Sequence, residues 1–148
     1  MRKLLLAVAL PVVFSAGFAI AAEYGSPAEA KEMLERAVAA LKADKAKALQ
    51  MFNERGEGFG DRDLYVYCGG ADGMFTAHYN ENVRKMSLKE LKDKDGSAFG
   101  EEIYAVAEPG VIAEVEYKWN RPGSEDLVDK VAYVTREGGE ICAVGYYK

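Results

Sequence analysis

The feature that most constrains this chain is the stretch Asp63–His78, DLYVYCGGADGMFTAH. Leu64, Val66 and Cys68 alternate with Tyr65 and Tyr67, the two-residue period of a pleated strand. Gly69-Gly70-Ala71-Asp72-Gly73 tolerates positive φ at several positions and fits a hairpin turn. Met74–His78 then runs back and ends on the only histidine in the sequence. Tyr65, Tyr67 and His78 therefore stand at known places on one small sheet, and function is expected there.

The remaining pattern builds around that hairpin. Ser26-Pro27-Ala28-Glu29 starts a helix: Ser26 caps, Pro27 suits the first turn, and Glu29 completes a capping box. Leu34, Val38, Leu41, Leu49 and Phe52 recur at helical spacing. Lys42–Lys47 interrupts the stripe, so the segment reads as one long helix or two joined by a bend. Gly56, Gly58 and Gly60 form a flexible connection into the first strand. After the hairpin, a polar stretch carries a short helical turn around Leu88–Leu91, and Ser97–Ala107 reads as a helix with Phe99, Ile103 and Val106 on one side. Three strands follow. Val111–Trp119 puts Val115, Tyr117 and Trp119 on one face. Leu127–Arg136 puts Val131, Tyr133 and Thr135 opposite Lys130, Ala132 and Val134. Ile141–Tyr147 closes the chain. The sum is an α+β domain: a long N-terminal helix on a five-stranded antiparallel sheet, with short inserted helices.

The N-terminus speaks for export. Arg2 and Lys3 precede an apolar run from Leu4 to about Ala22, and Ala19-Ile20-Ala21 offers the small-x-small pattern of a cleavage site. This is the form of a secretory signal peptide, 1–22, cleaved near Ala21 or Ala22, with a domain over 23–148. An uncleaved membrane anchor is the alternative. No second apolar run follows, so no stable membrane insertion is expected after cleavage, and the location is periplasmic or secreted. Losing Arg2 and Lys3 leaves 17 basic residues against 24 acidic ones, a net charge of −7 with His78 neutral. That acidity argues against nucleic acid and anionic membranes as partners.

Cys68 and Cys142 lie far apart in no redox or haem-attachment motif. In an oxidising compartment they can pair, or they can remain as two buried thiols. Asp93-Lys94-Asp95-Gly96 fails the spacing of a calcium loop: Gly96 in sixth place puts Leu91 first, and Asp93 in first place puts Tyr104 twelfth. No metal or cofactor is expected. Gly-x-Ser-x-Gly, His-Glu-x-x-His and Walker motifs are missing, and one histidine weakens most triads. The expectation is therefore a protein that is not an enzyme. A small enzyme using Asp63 or Glu116 as base is kept as an alternative, as is a soluble accessory subunit of a membrane sensor.

From about Glu35 to Lys148 the sequence resembles the single Cache domain, an extracytoplasmic sensor fold related to PAS domains. The matching residues are Met51-Phe52-Asn53, Asp63–Tyr67, Asp72-Gly73 with Thr76-Ala77-His78, and Leu91–Gly96. Further on they are Tyr117-Lys118-Trp119, Lys130 with Tyr133-Val134, and Gly145-Tyr146-Tyr147. The resemblance implies a PAS-like sheet with the first strand beside the last, which brings Cys68 next to Cys142 and favours their disulfide. It implies a pocket for a small organic ligand (a carboxylate, amino acid or amine), and a report to a membrane receptor or kinase, as in chemotaxis and related signal transduction. Because the sequence ends at Lys148 without a signalling region, a free-standing exported form is expected.

A small carboxylate needs donors that point into a dry cleft, a cation and aromatic walls. The residues carried over for these roles are Tyr65, Tyr67, His78, Tyr117, Trp119, Lys130 and Tyr133. Strand parity opposes one pairing: Lys130 and Tyr133 fall on opposite faces of an unbulged strand.

Overall fold

The computed structural model describes residues 22–148. The expected leader lies outside them, apart from Ala22. Helix α1 (Pro27–Ala43) begins as its sequence requires. The Ser26 hydroxyl accepts the Glu29 N–H at 3.2 Å, and the Glu29 carboxylate accepts the Ser26 N–H at 2.7 Å. Its buried face is Ala30, Met33, Leu34, Ala37 and Leu41. Asp44 resolves the ambiguity after it. Its backbone is extended (φ −159°), and its carboxylate accepts the Lys47 N–H at 3.1 Å. One residue thus ends α1 and caps a second helix, α2 (Lys45–Glu54).

The sheet contains β1 (Gly60–Asp61), β2 (Leu64–Gly69), β3 (Phe75–Ala77), β4 (Ala113–Asn120), β5 (Leu127–Glu137) and β6 (Glu140–Tyr147). Its order is β1-β2-β6-β5-β4, with β3 also on β2, and every named pair is antiparallel. The five expected strands are present. Gly60–Asp61, expected as part of a flexible connection, instead pairs with Leu64 and Tyr65 as a short sixth strand. Between the hairpin and β4 lie α3 (Glu81–Arg84) and α4 (Phe99–Val106). The short helix therefore precedes the expected site: Leu88–Leu91 forms a turn, closed by a Leu91 N–H to Leu88 carbonyl bond of 3.2 Å. Asp93 organises the next loop by accepting the Asp95, Ser97 and Lys118 N–H groups.

The alternation read from β2 separates two cores. Leu64, Val66 and Cys68 join the face covered by α1 and α2, while Tyr65 and Tyr67 join the face covered by α4 and the loops around it. Cys68 and Cys142 are directly opposite in the β2–β6 register and form a disulfide beneath the helices.

Candidate functional site

On the second face the sheet and the inserted segments surround a tight cleft with about 10 Å³ of free space, roughly enough for one water molecule. Five of the expected residues line it: Tyr65, Tyr67, His78, Tyr117 and Trp119. Register explains the convergence. Tyr65 and Tyr67 share the inward parity of β2, Tyr117 and Trp119 share that of β4, and His78 follows β3 directly.

Four apolar residues that sequence reasoning did not assign to the site complete the wall: Phe75, Leu88, Leu91 and Phe99. Phe99 stacks on Tyr117 with ring centroids 4.0 Å apart and meets Trp119 edge-on at 5.7 Å. Its position on the apolar face of α4 was legible; that this face caps a cavity was not.

Lys130 occupies a different position. Its side chain is 0% exposed, yet it is not among the residues lining the cavity. Its ammonium donates to the Tyr65 hydroxyl at 2.8 Å and lies 4.3 Å from the Tyr65 ring centroid and 4.8 Å from that of Tyr147. The stem reaches there by crossing β6 at Gly145, where an added Cβ would stand 2.2 Å from Lys130 Cε. A glycine in a strand interior marks this kind of close approach, and Gly145 was the available signal for it. Tyr133 is not brought to the site. It faces the helix side of β5 and packs against Tyr146 at 5.8 Å, because its parity is opposite to that of Lys130.

Burial controls the charges. It pushes the Lys130 ammonium down to about 7, with Asp63 opposing. Burial, then the Lys130 charge, pushes His78 down to about 3. The imidazole is therefore neutral near pH 7. Its Nδ1 accepts the Asn80 N–H at 2.9 Å, which assigns the proton to Nε2. Burial raises the Tyr65, Tyr67 and Tyr117 phenols, so all three keep their protons.

A hydrogen count shows what this wall offers. Tyr67 and Tyr117 bond to each other at 2.8 Å, which uses one of their two hydroxyl hydrogens and leaves one to donate. Tyr65 accepts from Lys130, and its own hydrogen goes towards the Tyr147 oxygen, whose hydrogen is donated to the Asn120 carbonyl. His78 Nε2–H and the Trp119 indole add two more donors. The exposed lining is mostly apolar, with these few donors set into it, and it carries no carboxylate. Neither acid considered as a base faces it. Asp63 accepts the Gly25 N–H at 2.7 Å and pairs with Arg121 at 3.4 Å, while Glu116 is exposed and paired with Lys148.

The single Cache domain 2 family model matches residues 21–145. The chain belongs to the single Cache domain family. It is thus a sensing domain of the Cache type. Three solved structures are similar to it. A methyl-accepting chemotaxis protein from Vibrio parahaemolyticus RIMD 2210633 has a TM-score of 0.65 at 19% identity, over 81% of this chain and 86% of that one. A periplasmic sensor domain of a chemotaxis protein has a TM-score of 0.58 at 20% identity, over 79% and 86%. A Cache chemosensory domain described for its carboxylic acid recognition has a TM-score of 0.57 at 21% identity, over 79% and 84%. Among curated proteins no sequence match is found. Among the described residues no helix is long and apolar enough to cross a membrane. The periplasmic neighbour and the Cys68–Cys142 disulfide fit an extracytoplasmic location.

Proposed function

We propose that this Cache domain is an extracytoplasmic receptor for a short-chain carboxylate, held non-covalently by Tyr65, Tyr67, Tyr117, His78 and Trp119. One observation carries the reading: a tight, mostly aromatic cleft with a few polar donors in its wall, backed by Lys130, a fully buried amine with no ion pair among the described residues. A buried charge is normally paired, and a bound carboxylate supplies both the missing anion and acceptors for the free donors. With free space for about one water molecule, the cleft must widen to admit any acid, and acids of two or three carbons require the least widening. The fold neighbour described for carboxylic acid recognition supports the same class.

The proposal includes a leader over 1–22 that is removed to leave a domain over 23–148, and a membrane receptor or kinase that reads occupancy. The mass of the exported protein tests the first part: the chain begins at Ala22 or Glu23. A thermal-shift screen of C2–C4 carboxylates, amino acids and amines tests the ligand class. At a hundred times its dissociation constant a carboxylate adds about 2.7 kcal/mol of stability, and simple amines add none. Stabilisation by amines alone, or by no compound in the screen, overturns the reading.

A further inference from the structure

We propose that Leu91 is the specificity-determining residue of the cleft: its side chain is the part of the wall that gives way to the acid's tail, and its size restricts that tail to the length found in acetate and propionate. This deepens the carboxylate reading above and rests on it.

The free space is that of about one water molecule, so an acid enters only where a wall residue withdraws. The polar donors stand on the sheet side and at His78. Leu88, Leu91 and Phe99, on the segments inserted between β3 and β4, offer only carbon. A carboxylate seated at the Tyr67–Tyr117 pair therefore points its tail at the inserted segments.

The other lining residues are pinned. The three tyrosines are held by their hydroxyl bonds. His78 is anchored by the Asn80 N–H and stacks on Tyr79 at 4.8 Å. Phe75, Phe99 and Trp119 sit on β3, α4 and β4, and each meets a neighbouring ring: Phe75 meets His78 at 5.5 Å, and Phe99 meets both Tyr117 and Trp119. Leu88 is closed in from below, since a Cβ added at Gly69 would stand 2.9 Å from its Cδ2.

Leu91 differs from all of these. It lies outside every helix and strand, and it keeps a solvent edge, at 9% exposed against 1% for Leu88. Its main chain is nevertheless fixed. Its N–H donates to the Leu88 carbonyl at 3.2 Å, and its carbonyl accepts the Gly100 N–H at 3.2 Å. Gly100 leaves no slack there, because an added Cβ would run into the Leu88 carbonyl. The turn therefore stays against α4, and room comes from the Leu91 side chain changing rotamer towards solvent. A short tail fills the vacated space. A longer one meets the anchored backbone behind it.

Calorimetric titration of the exported protein with acetate, propionate, butyrate and valerate tests this. The unaltered protein should bind valerate at least about tenfold more weakly than propionate. Leu91→Ala removes an isopropyl group, so preference should move to butyrate and valerate, with affinity rising about fourfold per added methylene. Leu91→Phe should do the reverse and weaken propionate more than acetate. Leu34→Ala, a truncation in the helix-face core, should cost stability and leave the order of the acids unchanged. If Leu91→Ala does not fold, the smaller truncation Leu91→Val should move preference the same way, towards butyrate. Valerate binding the unaltered protein as tightly as propionate overturns the inference and leaves the carboxylate reading standing. So does an unchanged order of acids in the folded Leu91 variants, or an equal shift in Leu34→Ala, which is the mark of general loosening. Failure of all four acids to bind any of these proteins overturns both.

Discussion

The two faces of the sheet come from the same strands and are built to opposite ends. The helix face is aliphatic: Leu64, Val66, Cys68, Cys142 and Val144 close against the Ala30–Leu41 stripe of α1 and are fastened by a disulfide. The other face is aromatic and polar. It buries Tyr65, Tyr67, Tyr117, His78 and Lys130 around a cleft with room for about one water molecule. Burying an uncompensated ammonium opposes folding. A domain tolerates it where the opposite face supplies stability and where a ligand completes the charge. The contrast assigns stability to the even-numbered residues of β2 and binding to the odd-numbered ones.

The largest expected effect tests the stabilising face. Replacing Cys68 and Cys142 together by alanine opens a link across a sequence separation of 74. It should lower stability by about 4 kcal/mol on loop-closure entropy. Urea unfolding measures the loss, and carboxylate affinity measured well below the new midpoint should stay unchanged. A large loss of affinity in the folded variant would break the division between the faces.

The second effect has the opposite sign. Lys130→Met removes a buried amine that no ion pair compensates and keeps an apolar stem, so the ligand-free domain should gain stability at pH 7, by about 1–4 kcal/mol if it follows buried ion pairs replaced by apolar residues. A destabilised variant would mean that Lys130 belongs to the stabilising face after all.

The third is pH. His78 at about 3 and Lys130 at about 7 are both depressed relative to the unfolded chain. In each window the unfolded state therefore binds more protons. Stability of the ligand-free domain should fall as pH drops from 6.5 towards 3. It should rise from pH 7 towards 10, by at most about 1.4 kcal/mol per pH unit from each group. Above pH 10 the trend reverses, because the buried phenols of Tyr65, Tyr67 and Tyr117 stay protonated in the fold. Urea midpoints across pH check the curve, and the rise above pH 7 should vanish in Lys130→Met.

The smallest effect is Tyr133→Phe. Tyr133 lies on the helix face, so its hydroxyl should matter by less than about 0.5 kcal/mol to stability and not at all to affinity. A clear loss of carboxylate binding would return it to the site.

Local sequence determined the elements because their causes are local. The Ser26–Glu29 capping box starts α1, Gly69–Gly73 turns the hairpin, and strand parity separates Leu64, Val66 and Cys68 from Tyr65 and Tyr67. Parity also foretold that Lys130 and Tyr133 part company. The Cys68–Cys142 partnership needed the family resemblance, since pairing across β2 and β6 is a property of topology. Tertiary structure alone decided the rest. The reach of Lys130 across Gly145 to Tyr65, its lack of a carboxylate, and the closing of Phe99 over Tyr117 all depend on which strands and loops become neighbours. Desolvation, which sets the charge of Lys130 and His78, is a property of the surroundings that assemble around a residue, and no residue's own letter records it.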